Sequence, residues 1–426
     1  MTTPGRPDGN GLPKQHQETS IAGDVAHPVA VFLAFAFAYF FSALLRAVTA
    51  TLAPVFSAEL DLRAADLGLL AGAYFFGFAA LQLPLGRALD TFGPRRALLA
   101  LLSLAVLGCG AFALAPSLPA LIGARVLIGA GVAACLMAPL TAYRRLFSAA
   151  TQLRANSWML MTGSLGMLAS TLPVQWLLPT LGWRGLFWAL AALLLLAMAA
   201  VAWWVPRDPT PTVARSSADV GYVAIARHPM FRRMAPLGFF VYGGMVAVQA
   251  LWAGPWLTRV CGWAADDAAK GLFGINLAML FAFLLWGMVM PRLVRHGIDA
   301  VWLMTRGLPL ALALLGLNVV QGPDAGALHW AAWCVACTFV SVSQPAIGAA
   351  FPAAQAGRAL SAFNLVIFSG VFCIQWGIGL LVDALRAAEL SEITSFRIAF
   401  GLFGLCCLAS YGWFLHGDRQ GADNPA

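Results

Sequence analysis

The chain has 426 residues, of which 61% are hydrophobic and only 10% charged, and its net charge is +8. Soluble domains carry roughly 25% charged residues, so this composition excludes a string of soluble domains and indicates a membrane protein. The excess of positive charge is shared among loops on one side of the predicted spans, which argues against a nucleic-acid-binding surface.

Residues 1–28 are polar, rich in Gly and Pro, and read as a disordered cytoplasmic tail. They lack the charged region and short apolar core of a cleavable leader. Twelve apolar stretches follow, at about 29–55, 66–88, 97–115, 119–143, 157–179, 184–205, 235–258, 270–291, 299–320, 327–349, 361–384 and 396–416. Most are long enough to cross a bilayer as helices rising 1.5 Å per residue. The predicted fold is an all-α membrane protein with twelve transmembrane helices. Six form an N-terminal bundle over 29–206 and six a C-terminal bundle over 235–416. A polar cytoplasmic linker over 207–234 joins them, with an amphipathic piece around Tyr222 to Met234, and a cytoplasmic tail over 417–426 closes the chain.

With the amino terminus inside, 17 of the 26 Lys and Arg fall in inner segments, six in outer segments and three within spans. That asymmetry is the positive-inside rule, and it predicts a multi-pass protein of the inner (plasma) membrane with both termini in the cytoplasm. The eight Cys lie almost entirely within spans. Cys334 and Cys337 have the spacing of half a metal site but no nearby His or second Cys pair, so no metal, cofactor or disulfide is expected.

The two predicted bundles echo each other. Phe147, Arg154, Ala155 and Ser157 match Phe351, Arg358, Ala359 and Ser361 at an offset of 204 residues. A weaker echo pairs the loop at Gly86 with that at Gly287, which keeps the glycine and basic residues but has no Asp. Paired bundles are the architecture of carriers whose site lies at the interface between repeats.

Three arginines fall within spans: Arg46, Arg125 and Arg306. From the span limits, Arg46 lies about 6 Å and Arg125 about 9 Å to the outer side of the membrane middle, at similar depth. All 18 acidic residues fall in loops, tails or span ends. A guanidinium at that depth costs several kcal/mol unless it is paired or hydrated. Arg46 and Arg125 are therefore candidate ligands for an anionic solute, bound through forked donors; the alternative is that they snorkel or bond backbone carbonyls. Arg306, near an inner end, fits snorkelling. Tyr39, Tyr74, Gln249, Trp252, Asn276, Gln344 and Gln375 are second-rank candidates to line the same site, or else make interhelical hydrogen bonds.

The segment Gly86-Arg-Ala-Leu-Asp-Thr-Phe-Gly-Pro-Arg-Arg96 resembles the loop between the second and third helices of the major facilitator superfamily. Arg125-Val-Leu-Ile-Gly-Ala-Gly131, Gly182-Trp183-Arg184 and Gly357-Arg358-Ala359 are similar to that family's fourth, sixth and eleventh helix signals. The fifth stretch departs from the Gly-Pro pattern of the drug–proton antiporters. The first two stretches, with Arg46 and then Leu-Gly-Leu-Leu-Ala-Gly-Ala-Tyr74, look closer to the branches that carry organic anions. The resemblance implies a secondary transporter and assigns gating to Gly86, Arg87, Asp90, Gly93, Arg95 and Arg96, with Arg154 and Arg358 on the matching loops. In this reading the Asp90 carboxylate accepts hydrogen bonds from the first turn of a helix in the other bundle, near Ser361, and holds the bundles together.

The expected function is transport of a small, anionic solute such as a carboxylate by a monomer that alternates access, with the lipid bilayer and the solute as its partners. No mid-span Asp, Glu or His is present, which favours exchange or facilitated diffusion over proton symport. Export of neutral or cationic compounds is the alternative. An enzyme is not expected, because no catalytic constellation is present, and no phosphate-binding loop supports ATP-driven pumping.

Overall fold

The computed structural model describes residues 27–207 and 221–422; in it the side chains of Asp90, Ala149, Ala150, Leu153, Pro291, Val294, Ala353, Ala354 and residues 418–422 are left undescribed. The expectations for the amino-terminal tail, for most of the linker and for the end of the chain lie outside the described residues.

Every described element is helical, as lipid demands of backbone groups that have no water to bond. Among the described residues, nine helices are long and apolar enough to cross a membrane, and a tenth crossing is the pair Ala64–Ala80 and Gln82–Leu89, bent by 41°. The fourth crossing is also broken, into Leu118–Gly131 and Met137–Leu146, and the fifth begins with Ala149–Ala169. The set makes twelve spans in two six-helix bundles. Leu172–Trp204 reads as one helix but is kinked at Gly182, whose φ of 61° is a left-handed value. Glycine adopts that backbone without a Cβ clash. The kink divides the end of the fifth span from the sixth, which is why the expected boundary between them falls at so short a turn.

The seventh span begins at Pro229, ahead of the expected residue 235. His228 is the N-cap and Pro229 the first helical residue, a position where proline's fixed φ and missing N–H cost nothing. The amphipathic segment is accordingly split: Tyr222–Arg227 is a short separate helix, and the rest joins the span.

Interruptions cluster toward the middle of the spans. The second span breaks at Leu81, the fourth at 132–136, the seventh passes through π-helical turns at Gly238–Tyr242 and Val248–Trp252, and the tenth through a 3₁₀ turn at Thr338–Val342. Such irregular backbone is tolerated in a membrane where protein or a cavity covers it.

The bundles meet tightly at the face opposite the Gly86–Arg96 loop. Gly68 and Gly379 lie against backbone of the facing helix, Gly68 at Gln375 and Gly379 at Ala64, so closely that any Cβ would collide. Gly254 of the seventh span approaches the Ala50 carbonyl of the first in the same way. Polar clasps finish this seal. Asp383 accepts hydrogen bonds from the backbone N–H groups of Ala64 (3.1 Å) and Ala65 (2.8 Å), Arg259 donates to Ser57 (2.7 Å), and Gln175 donates to Asp266 (2.9 Å).

Candidate functional site

Between the bundles lie two adjoining chambers of about 390 and 490 Å³. Both are lined by Tyr39 and Arg46 of the first span, Leu160 of the fifth, Tyr242 of the seventh and Gln344 of the tenth. The smaller adds Ser42, Phe78, Gln82, Asn364 and Phe368; the larger adds Gln249 and the fifth and eighth spans around Ser164 and Met279. The mid-span breaks are part of this wall: Phe78 and Gln82 flank the break at Leu81, while Val132, Ala133, Leu136 and Met137 line it at the fourth-span break.

The internal repeat reappears as geometry. At an offset of 204, Met137, Leu140 and Leu160 correspond to Ser341, Gln344 and Asn364; at 203, Tyr39 and Arg46 correspond to Tyr242 and Gln249; at 201, Phe78 and Gln82 correspond to Met279 and Phe283. All of these residues line the chambers. Equivalent positions of the two halves thus face one space, as a two-fold arrangement of repeats requires.

Arg46 is the centre of the site. Its Cζ lies 5.7 Å from the Phe78 ring centroid and 5.9 Å from that of Phe368, one ring from each bundle. The Tyr74 and Tyr39 hydroxyls are close enough to hydrogen-bond the guanidinium, and the Tyr242 phenol is also near. Its Nε is buried without a hydrogen-bond partner. Among the described residues, no Asp, Glu, His or Lys lines either chamber.

Arg125, expected beside Arg46, lies elsewhere and lines neither chamber. It is 1% exposed, donates to the Leu45 carbonyl (3.1 Å) and to Thr49 Oγ1 (2.5 Å), and sits 5.3 Å from the Tyr74 ring centroid. Gly77 and Gly129 let the second and fourth spans close around it, each pressed against backbone of the other. Backbone and hydroxyl oxygens therefore meet its two terminal nitrogens inside the N-terminal bundle.

Of the second-rank candidates, Tyr39, Gln249 and Gln344 line the chambers. Tyr74, Trp252, Asn276 and Gln375 do not. The Tyr74 hydroxyl donates to the Ser42 carbonyl (3.2 Å), Trp252 Nε1 to the Gln375 carbonyl (3.1 Å) and Gln375 Nε2 to the Ala247 carbonyl (3.3 Å). Asn276 stands behind Gln249, accepting from its Nε2 at 3.0 Å. Sequence reading missed Ser42, Gln82, Tyr242 and Asn364. The repeat offset carries a signal for Tyr242, as the counterpart of Tyr39. Asn364 accepts from Gln344 Nε2 at 2.7 Å, but its counterpart Leu160 gives no polar hint.

Of the expected gating residues, Gly86 to Arg96 lie at the other end of the second span, Arg154 near the start of the fifth and Arg358 near the start of the eleventh. Gly93, with φ of 81°, makes the turn between the second and third spans. Arg95 donates to the Ala202 carbonyl at 2.6 Å, tying the loop to the sixth span. Gly86 has open space around it. Arg87, Arg96 and Arg154 are exposed and Arg358 half-buried. The Asp90 side chain lies outside those described.

Helix order, paired bundles and an interfacial chamber define the class of protein, a membrane carrier. Residues 35–374 match the sequence model of the Major Facilitator Superfamily, and the chain belongs to that family. Among curated proteins, no sequence matches it. Solved structures of similar fold include a bacterial homolog of the human lysosomal transporter Spinster, inward-facing and unoccupied. It is 17% identical, with a TM-score of 0.73 over 93% of this chain and 98% of that one. A D-xylose–proton symporter is 18% identical, with a TM-score of 0.74 over 90% and 96% of the two chains. The nucleoside transporter NupG is 14% identical, with a TM-score of 0.69 over 91% and 99%. At these identities the likeness establishes the fold alone.

Proposed function

We propose that this transporter moves a small organic anion by alternating access, with Arg46 as the group that binds the negative charge. One observation carries the reading: Arg46 faces both chambers, and no carboxylate is found among their described residues. An unneutralised guanidinium in a chamber with apolar walls is stabilised by an anionic guest and disfavours a cationic one. Tyr39, Gln249 and Gln344 supply neutral hydrogen-bonding groups around the same guest.

The seal at Asp383, Arg259 and Gln175 stands at one face, while the arginine-rich loops stand at the other. The positive-inside rule assigns the arginine-rich face to the cytoplasm, which makes this conformation one closed toward the outside. Both termini are then cytoplasmic, the protein is an inner-membrane monomer, and the Gly86–Arg96 loop serves the opposite, inner gate. The absence of titratable carboxylates or His among the described chamber residues favours exchange or facilitated diffusion over proton coupling.

Uptake of a radiolabelled carboxylate into proteoliposomes tests this. Counterflow that depends on an internal carboxylate and is lost in Arg46→Gln is the expected result. Transport driven by a pH gradient alone overturns the exchange reading, and transport indifferent to Arg46→Gln overturns the anion reading.

A further inference from the structure

We propose that the chamber selects a monovalent organic acid with an apolar body, in preference to inorganic, divalent or very small anions. The inference rests on the reading of Arg46 as the anion site and narrows it.

The first argument is charge. Arg46 is the one charged side chain among the described residues of both chambers. One guanidinium matches one carboxylate with two parallel N–H···O bonds. A second negative charge on the same guest has no cation to meet and must be desolvated against carbon, which is strongly unfavourable. Dicarboxylates, phosphate and sulfate are disfavoured on this ground.

The second argument is the wall. Phe78 and Phe368 come from opposite bundles, their ring centroids are 4.5 Å apart, and both lie within 6 Å of the Arg46 guanidinium carbon. Leu136, Met137, Leu140 and Leu160 line the same chamber, and Met279 and Phe283 line the adjoining one. The glutamines that face the space each already give one N–H to a neighbour, Gln344 to Asn364, Gln249 to Asn276 and Gln82 to the Phe78 carbonyl, which leaves few polar groups for the guest. A guest held by its carboxylate at Arg46 therefore meets carbon over most of its body. The chambers are within the size range of ordinary small-molecule sites, far larger than acetate needs. Each methylene of a longer acid that leaves water should tighten binding about fourfold, from about 0.8 kcal/mol per group.

The test is a binding panel on the purified full-length protein in nanodiscs, read by thermal shift and by competition: acetate, butyrate, 3-phenylpropanoate, succinate, inorganic phosphate and the neutral 3-phenylpropanamide. The expected order is 3-phenylpropanoate over butyrate over acetate, with at least 30-fold between the first and last. Succinate and phosphate should bind no better than acetate. In Arg46→Gln the acid should fall to the level of the amide. Phe368→Leu, which keeps most of the volume, should cost 3-phenylpropanoate several-fold more than it costs acetate. Binding of phosphate, succinate or acetate as tight as that of 3-phenylpropanoate, and lost in Arg46→Gln, overturns the apolar-body inference and leaves the anion reading standing. Equal binding of acid and amide, unaffected by Arg46→Gln, overturns both. Absence of binding by every member of the panel also overturns the inference.

Discussion

Arg46 and Arg125 begin from the same position in the argument and end in different surroundings. Both lie deep in the N-terminal bundle, both stand over aromatic rings, and both have a buried Nε without a partner. Arg125 is met by the Leu45 carbonyl and Thr49, on the first span one turn apart, and by the Tyr74 ring. Arg46, one residue beyond Leu45 on the same helix, turns about 100° away and meets a chamber shared by both bundles. Depth and the lack of a nearby carboxylate do not separate the two; the facing element does. Oxygen atoms reach both, the Tyr39 and Tyr74 hydroxyls in the case of Arg46, but only at Arg46 does the opposite bundle stand back and leave an open chamber.

The sharpest way to break this contrast is to remove each charge in turn. Arg46→Gln is expected to weaken carboxylate binding by at least about 150-fold, which is about 3 kcal/mol, because a charge-assisted pair in a poorly hydrated site is lost. Its thermal stability should change little, since the groups beside it are neutral phenols and Tyr74 keeps its bond to the Ser42 carbonyl. Arg125→Ala should do the reverse, lowering stability by about 2–3 kcal/mol through lost packing and two unpaired oxygens. Carboxylate affinity should change by less than about threefold. Thermal unfolding and binding isotherms on the same preparations decide it; a swap of the two phenotypes would refute the contrast.

How much of this was legible in the chain follows from the same pair. Twelve apolar spans, the loop at Gly86 and the two deep arginines are patterns of residue type along the sequence, and the fold preserves them. Which arginine faces the chamber is set by Gly77 and Gly129, whose missing Cβ atoms let the second and fourth spans close over Arg125. A glycine in an apolar span has many other uses, so that consequence was hidden. Trp252 and Gln375 were hidden in another way: each is polar, but each spends its donor on a backbone carbonyl between the seventh and eleventh spans. Tyr242 was closest to legible, because it repeats Tyr39 at nearly the offset that relates the loops.

The second span links the two arginines, for Tyr74 covers Arg125 and Phe78 covers Arg46. Its first turn is capped by Asp383 from the other bundle. A carboxylate accepting from two N–H groups at a helix start contributes about 1.5–2 kcal/mol. Asp383→Ala should therefore loosen the seal between bundles while sparing the contacts of Arg125, which lie within one bundle. A cysteine introduced as Gln375→Cys in a cysteine-free background reports the opening. Its labelling by a membrane-impermeant maleimide should speed up about tenfold in Asp383→Ala, and the thermal cost of Arg125→Ala should be the same with or without Asp383. An unchanged labelling rate would mean that the glycine contacts at Gly68 and Gly379 hold the seal alone.

The smallest expected effect tests whether the chamber's two halves contribute unequally. Equivalent positions hold Leu140 and Leu160 in one bundle but Gln344 and Asn364 in the other. The amide pair is joined by a 2.7 Å hydrogen bond, so replacing one member leaves the other's polar groups unpaired beside apolar walls. Asn364→Leu should weaken carboxylate binding about fivefold, or about 1 kcal/mol, the net value of one neutral hydrogen bond. Removing both amides, with Gln344→Leu and Asn364→Leu together, should restore much of that loss, because two apolar side chains leave nothing unsatisfied. Competition binding of the single and double variants measures the coupling. Strict additivity would mean that each amide bonds the solute separately, and the chamber would then read a polar group at the end of the guest remote from Arg46.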